Sequence, residues 1–281
     1  MKILITGINS ALGILIARKL SENHEIIGLG TRDLGEFKTI KFDLGSNKKF
    51  DMEPVDVCLH LAFITDPKLC EKNKDAYKIN ILGTKKILDY CIKKKIKKLI
   101  LASTGGVYGF SNHTLKEDTR PNPYNLYSSM KLQAENAAKA CSDYFDVVIL
   151  RYFFPYGPET KKKSLINNLA RNITKGKKNL LHNNGKPIVN PIFITDLVEA
   201  TSVLCTKNTK RFDIFNIAGP DKMSVKNISL LIALLTKKKA LFKPSNKMYG
   251  DMVADIKKVS KYYKPQIGLK EGLKITINSL K

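Results

Sequence analysis

Short apolar runs alternate with stretches of helical periodicity through the first half of the chain. Residues 2–6 (Lys-Ile-Leu-Ile-Thr) read as a buried strand, 12–22 as a helix and 25–29 as a second strand. Residues 39–42 and 55–61 add a third and a fourth strand. In 74–93, Ala76, Ile79, Leu82, Gly83, Ile87 and Cys91 supply one apolar helical face. Residues 98–102 give a fifth strand, 124–144 a long helix and 147–150 a sixth strand. Such alternation predicts βαβ units, an α/β class and a mostly parallel sheet. Right-handed crossovers then bring the carboxyl ends of the strands to one edge, where ligands bind.

Beyond Arg151 the pattern loosens. Pro155, Gly157 and Pro158 interrupt the chain, 165–174 is helical, and Gly176 and Gly185 mark turns. Residues 191–194 and 212–217 read as strands returning to the sheet, and 220–281 as a small helical cap. The chain shows no internal repeat, low-complexity tract or flexible linker.

Composition narrows the class. A chain of 281 residues suits one large domain or one domain with a smaller companion. The 43% hydrophobic content is too high for a disordered chain. No apolar run nears the ~20 residues a membrane span needs, and the start turns polar at Thr6-Gly7, too early for a signal peptide. A soluble cytoplasmic protein without a membrane partner is expected. Cys58, Cys70, Cys91, Cys141 and Cys205 are odd in number and widely spaced, which fits reduced, mostly buried thiols. His24, His60, His113 and His182 have no ligand spacing, so no metal site is expected.

The net charge is +24, but only six of the 49 basic residues are Arg. Lysine runs at 93–95, 97–98, 161–163 and 237–239 read as solvated surface, not as an Arg-rich nucleic-acid reader. No nucleic-acid partner is expected. The positive field suits anionic small substrates.

Three local patterns carry candidate chemistry. Thr6-Gly7-Ile8-Asn9-Ser10-Ala11-Leu12-Gly13 joins a strand to a helix, a turn whose amides and helix dipole meet a pyrophosphate. Ser10 stands there in place of a middle glycine. After the second strand comes Gly30-Thr31-Arg32, where an NAD site would carry a carboxylate. Gly30 leaves room and Thr31 and Arg32 suit a 2′-phosphate, so NADP is expected over NAD, with Asp33 one residue too late. Tyr127 and Lys131 share a helix face by their spacing. There the Lys131 ammonium is expected to lower the Tyr127 pKa, readying that phenol for proton exchange.

With these patterns the chain resembles the extended short-chain dehydrogenase/reductases, the nucleotide-sugar epimerase, dehydratase and reductase group. The likeness runs in order through Thr6–Gly13, Asp43-Leu44, His60-Leu61-Ala62-Phe63 and Asn80 with Gly83-Thr84. It continues through Ser103-Thr104-Gly105-Gly106-Val107-Tyr108-Gly109, Tyr127-Ser128-Ser129-Met130-Lys131 and Arg151-Tyr152-Phe153-Phe154-Pro155-Tyr156-Gly157-Pro158. Asn190-Pro191-Ile192-Phe193-Ile194-Thr195-Asp196-Leu197 and Phe215-Asn216-Ile217-Ala218-Gly219 complete it.

The resemblance implies a doubly wound Rossmann-type parallel sheet with a small C-terminal substrate-binding cap. Residues 1–152 with 191–219 would bind the dinucleotide, and 153–190 with 220–281 the substrate. It implies Thr104, Tyr127 and Lys131 as the catalytic set. Cofactor contacts are implied for Gly7, Asn9, Ser10, Ala11, Leu12, Gly13, Thr31, Arg32, Asp43, Leu44, Leu61, Ala62, Phe63, Asn80, Tyr127, Lys131 and Tyr152. His60 lies close to the cofactor phosphates in this scheme or simply ends its strand. Tyr156 packs, and Asp196 caps a helix starting near Leu197.

Departures bear on the substrate. Phe154 stands where related epimerases carry Asn, and Val189 or Asn190 where they carry a phosphate-binding Arg. The last fifty residues hold no Arg, leaving Lys186, Lys243 or Lys247 as point-charge substitutes. Gly105-Gly106 replaces the Asp-Glu pair of related dehydratases. The leading expectation is an NADPH-dependent ketoreductase acting on a nucleotide-linked keto-sugar, or another small carbonyl substrate, in surface-polysaccharide precursor synthesis. An NAD-dependent nucleotide-sugar epimerase is the near alternative, and a catalytically silent NADP-binding sensor or scaffold a distant one. A homodimer is expected through the 74–93 and 124–144 helices, with Ala134, Ala137, Ala138 and Cys141 as the small-residue face.

Overall fold

In a computed structural model of the chain, residues 1–73, 75–160 and 164–280 are described. Lys74, the lysine run 161–163 and Lys281 lie outside the described residues. The first half follows the expected alternation: β1 (Lys2–Thr6), α1 (Ala11–Ser21), β2 (Glu25–Gly30), β3 (Lys38–Lys41) and β4 (Val57–His60). Next come α2 (Pro67–Lys72), α3 (Asp75–Tyr77), a π-helical turn (Lys78–Leu82), α4 (Gly83–Lys93), β5 (Lys98–Thr104), α5 (Leu126–Ala140) and β6 (Asp146–Tyr152). The continuous helix expected over 74–93 is interrupted by that wide turn. Its Asn80 carbonyl accepts the Thr84 hydroxyl at 2.7 Å, a bond that periodicity does not encode.

The second half holds α6 (Leu165–Thr174), β7 (Asn179–His182), β8 (Ile188–Val189), α7 (Ile194–Thr206), β9 (Phe212–Ile217), β10 (Met223–Ser224), α8 (Val225–Thr236), β11 (Phe242–Ser245) and α9 (Leu269–Asn278).

Seven strands form one sheet in the order β3-β2-β1-β4-β5-β6-β9. The β3–β2, β2–β1, β1–β4 and β4–β5 pairings are parallel. The order reverses between β1 and β4, and in such sheets that switch point opens the ligand crevice beyond the strand ends. This is the α/β, Rossmann-type sheet expected from the sequence. Its apolar core draws on Leu4, Ile27, Leu29, Cys58, Leu99, Leu101, Val147 and Ile149 from the strands. Ile87, Leu88 and Cys91 of α4 and Ala134 and Ala138 of α5 pack against them.

The chain divides into two compact units, Met1–Val107 with Pro121–Arg151 and Thr201–Phe215, and Tyr108–Arg120 with Tyr152–Ala200 and Asn216–Lys281. Within the second, α6 packs on α8, β7 pairs in parallel with β11, and β8 pairs antiparallel with β10.

Three expectations are corrected. Residues 191–193 do not return to the large sheet. Phe193 forms an isolated bridge with Tyr156, and α7 begins at Ile194. Pro191 has no N–H for a ladder, and a Cβ on Gly219 would stand 2.1 Å from the Pro191 carbonyl oxygen, so that edge is closed. The 220–281 stretch is not wholly helical, since β10 and β11 lie within it. Asp196 does not cap α7 either. It sits inside that helix, and its carboxylate accepts the Tyr263 hydroxyl at 2.6 Å and the Gln266 and Ile267 amides at 2.9 Å.

No described helix is long and apolar enough to cross a membrane. All five cysteines are free, with Cys141 partly exposed and the others buried.

Candidate active site

At the end of β1, Gly7 adopts φ +74°, and a Cβ there would stand 2.9 Å from the Ala62 nitrogen, so only glycine fits. A Cβ on Gly13 would come 2.4 Å from the Gly7 carbonyl, which brings α1 close against the turn. Ser10 caps α1: its Oγ accepts the Gly13 amide at 3.0 Å. The Ser10 amide itself donates to the Gly7 carbonyl at 3.0 Å. Of the free N-terminal amides of α1, those of Ala11 and Leu12 are left for an anion at the positive end of the helix. This turn therefore fits a dinucleotide pyrophosphate.

Gly30 is explained differently from the sequence reading. A Cβ there would stand 2.3 Å from Asn9 Oδ1, so its space is taken by the Asn9 side chain. The Asn9 carboxamide clamps the turn after β2. Its Oδ1 accepts the Arg32 amide at 3.1 Å and its Nδ2 donates to the Arg32 carbonyl at 2.8 Å. Thr31 and Arg32 are exposed beyond it. The Asp33 carboxylate accepts the Gly35 amide at 2.9 Å. Asp43 is exposed and accepts the Gly45 amide, whereas the Leu44 side chain belongs to the core.

Behind the turn lies a buried relay that the sequence reading did not find. Thr6 Oγ1 lies 2.7 Å from His60 Nδ1 and accepts the Leu61 and Ala62 amides at 3.2 and 3.1 Å. His60 Nε2 lies 3.0 Å from Thr84 Oγ1, whose proton goes to the Asn80 carbonyl. These bonds assign one tautomer: His60 donates from Nε2 and accepts the Thr6 hydroxyl at Nδ1. A second proton has no acceptor, and burial, aided by the Lys131 charge, pushes the His60 pKa down to about 3. Asn80 secures the same loop. Its Oδ1 accepts the Ile64 amide at 2.7 Å and its Nδ2 donates to the Ile64 carbonyl at 3.2 Å.

Stability follows from this relay. Because the folded chain holds the His60 proton more weakly than the unfolded chain, the His60 contribution is complete above about pH 6.5 and is lost as pH falls toward 3. In urea unfolding between pH 6.5 and 4, a His60→Gln variant is expected to show a slope shallower by about 1.4 kcal/mol per pH unit. Equal slopes would remove His60 as the titrating group.

At the edge beyond β5, Thr104, Tyr127 and Lys131 come together. Asn125 caps α5 by accepting the Ser128 amide at 2.8 Å, which fixes the helix start at Leu126, one residue before Tyr127. The Thr104 hydroxyl hydrogen-bonds Tyr127 and also accepts the Gly106 amide at 3.1 Å. Lys131 is buried; its Nζ donates to the Ala102 carbonyl at 2.7 Å and sits 3.7 Å from the Phe63 ring centroid. Phe63 also meets Tyr127 edge to face at 6.0 Å.

The electrostatics correct a sequence expectation. Burial drives the Tyr127 pKa up, not down, with the Thr104 bond pulling the other way. The burden falls on Lys131 instead: burial lowers its pKa to about 7, against the raising influence of Glu135 and then Cys70.

Tyr152 ends β6 and is buried. In the second unit, Phe154 holds φ +46°, a left-handed conformation costly for an aromatic residue and easy for Asn. Val189 and Asn190 are buried, and the Asn190 carboxamide bonds Ala254 in both directions, at 3.0 and 3.1 Å. Lys186 is paired with Asp251 at 2.6 Å, while Lys243 and Lys247 are exposed. Tyr156 packs edge to face on Phe193, as expected.

Residues 3–218 match the model of a family described as the NAD dependent epimerase/dehydratase family. A Bacillus subtilis protein named as an uncharacterized UDP-glucose epimerase, YtcB, is 27% identical over 97% of this chain and 96% of its own length. A dTDP-D-glucose 4,6-dehydratase of Dictyostelium discoideum is 31% identical over 79% of this chain and 59% of its own. A UDP-glucuronic acid 4-epimerase from Bacillus cereus, solved with UDP-glucuronic acid and NAD, has the same fold. Its TM-score is 0.88 over 100% of this chain and 99% of its own, at 23% identity.

Proposed function

The chain belongs to the NAD dependent epimerase/dehydratase family, and from that membership we propose that it is a nucleotide-sugar 4-epimerase acting on a UDP-hexose. It is an enzyme of the extended short-chain dehydrogenase/reductase type. The ketoreductase expected first from the sequence gives way to the epimerase alternative, which the likeness to the Bacillus subtilis protein supports. The observation that carries the proposal is the Thr104–Tyr127 hydrogen bond one helical turn from the buried Lys131.

We assign the cofactor as NAD, which when bound supplies reversible two-electron chemistry at the sugar carbon. The Gly7–Gly13 turn would hold its pyrophosphate and Lys131 its ribose. Thr104 would bond the reacting sugar oxygen. Tyr127, a neutral phenol without cofactor, would be lowered in pKa by the positive charge of bound oxidised NAD, and as the phenolate would take the proton from that oxygen and return it after the sugar presents its other face. Residues 1–152 with 191–219 would form the dinucleotide part, and 153–190 with 220–281 the sugar-nucleotide part.

Incubation with UDP-glucose, UDP-glucuronate or UDP-N-acetylglucosamine is expected to yield the 4-epimer with no net consumption of cofactor, read by proton NMR of the anomeric signals. Stoichiometric NADPH oxidation with a keto-sugar would restore the ketoreductase. A 4-keto-6-deoxy product would mark a dehydratase, against which Gly105-Gly106 speaks.

The cofactor assignment has its own test. NAD is expected to bind at least as tightly as NADP, because the room at Gly30 is filled by Asn9. Arg32→Ala should weaken NADP about tenfold, or ~1.4 kcal/mol, and leave NAD unchanged within about twofold. A tenfold NADP preference in titration calorimetry would reinstate Arg32 as a phosphate clamp.

A homodimer is part of the proposal, with a changed face. Ala134 and Ala138 are committed to the chain's own core. Ala137 stays exposed on α5, and the large apolar residues exposed on α2, α3, the π-turn and α5 are Leu69, Tyr77, Leu82 and Leu126. Light scattering at micromolar concentration should give about twice the 31.6 kDa chain mass. A monomer mass would overturn the dimer.

A further inference from the structure

Tyr127, Lys131 and Glu135 follow one another at four-residue spacing, so all three share a face of α5. Glu135 is 4% exposed, and its carboxylate meets the Arg151 guanidinium of β6: Nη2 lies 2.6 Å from Oε2, and Nε lies 3.1 and 3.2 Å from the two oxygens. Glu135 Oε1 also accepts the Ser103 hydroxyl. Ser103 stands between Ala102, whose carbonyl receives Lys131 Nζ, and Thr104, whose hydroxyl meets Tyr127. One helix face thus grips three successive residues at the end of β5.

Stability alone does not require this arrangement. Apolar residues of similar volume in place of a buried ion pair are often neutral or stabilising, because both charges lose their hydration. The pair is joined to the strand residue that separates the two contacts of the reacting groups. We propose that Glu135, locked by Arg151, is a positioning residue for the reaction: through Ser103 it fixes where β5 presents Thr104 to Tyr127, and its carboxylate faces the Lys131 ammonium. The inference rests on the reading of Thr104, Tyr127 and Lys131 as the reacting set.

Lys131 is faced by His60 from β4, Cys70 from α2, and Tyr127 and Glu135 from its own helix, with Arg151 of β6 behind Glu135. His60 is neutral, and burial keeps the Cys70 thiol and the Tyr127 phenol protonated. Among these groups, Glu135 supplies the full negative charge that raises the Lys131 pKa against the lowering by burial.

Two variants separate positioning from folding. Ser103→Ala removes one hydroxyl and leaves the ion pair intact. Glu135→Met with Arg151→Met replaces the pair by apolar side chains, which is compatible with folding. Ser103→Ala is expected to lower kcat about tenfold, with KM within about twofold and Tm retained, as for a small misplacement of a reacting group. In the double variant the Lys131 midpoint should fall by about one pH unit. That midpoint is read as the lysine 13Cε signal missing from a Lys131→Arg sample.

The midpoint needs no substrate. If the unmodified enzyme epimerises no sugar nucleotide, the functional reading fails while the midpoint still decides this inference. Full kcat in Ser103→Ala, or an unmoved Lys131 midpoint in the folded double variant, overturns it. Should the double variant not fold, Glu135→Gln with Arg151→Met removes both charges without stranding a buried guanidinium and gives the same midpoint readout.

Discussion

Tyr127→Phe is expected to lower kcat by about 10²–10⁴-fold, the usual worth of a general acid–base group, while the protein stays folded. The substitution removes one oxygen. The ring keeps its edge-to-face contact with Phe63, and the Asn125 cap of α5 is untouched. What disappears is the hydroxyl that Thr104 bonds and that would shuttle the proton of the sugar oxygen. KM for the sugar nucleotide should change little, because a proton carrier acts mainly in the transition state. Steady-state kinetics on the substrate found by NMR, with Tm measured alongside, checks this. Wild-type turnover by the Phe variant would end the mechanism.

Lys131→Met should move activity and stability in opposite directions. The ammonium is buried against the Ala102 carbonyl and the Phe63 face, and it would hold the cofactor ribose. Its loss should lower kcat about 10²–10³-fold and weaken NAD binding. Combined with Tyr127→Phe the losses should not add, since the two groups act as a unit. Stability has the other sign. Because the folded pKa is lowered to about 7, the fold carries the full cost of the desolvated ammonium below pH 7, and that cost is gone above about pH 10.5. An apolar side chain of similar length should therefore stabilise the protein at pH 6 by on the order of 1–3 kcal/mol, less the lost hydrogen bond. A destabilised variant in urea unfolding at pH 6 would contradict that assignment. The trade is the one expected where function requires a group that folding disfavours.

Much of this was legible from side-chain periodicity. The strand and helix succession of the first half reports burial directly, and the helix over 165–174 coincides with α6. The four-residue spacing of Tyr127 and Lys131 by itself puts them on one helix face. What the sequence hid depends on distance in space. The pairs β8–β10 and β7–β11 are too short, and their partners too far apart along the chain, to leave a periodic signal. Glu135 and Ser103 are polar letters with no burial signal of their own, yet both are buried by partners from other elements. For Glu135 a faint signal existed: an acid one turn after Lys131, with Arg151 closing an apolar strand. Spacing also cannot report desolvation, so the direction of the Tyr127 shift was misread. The space at Gly30 was read as room for a phosphate because only the folded turn reveals that Asn9 fills it.

The strand order also sets a schedule for synthesis. β9 lies beside β6 in the finished sheet, yet about 60 residues separate Tyr152 from Phe212 along the chain. At about 5–20 residues per second, the ribosome takes roughly 3–12 s to deliver that stretch. For those seconds the nascent sheet ends at β6, with the amides and carbonyls of alternate residues, Val147 and Ile149 among them, facing outward without a partner strand. Such an edge is a template for another chain. Slowed translation between codons 152 and 212 should thus raise aggregation more than the same delay placed after codon 217, when the edge strand has already been made.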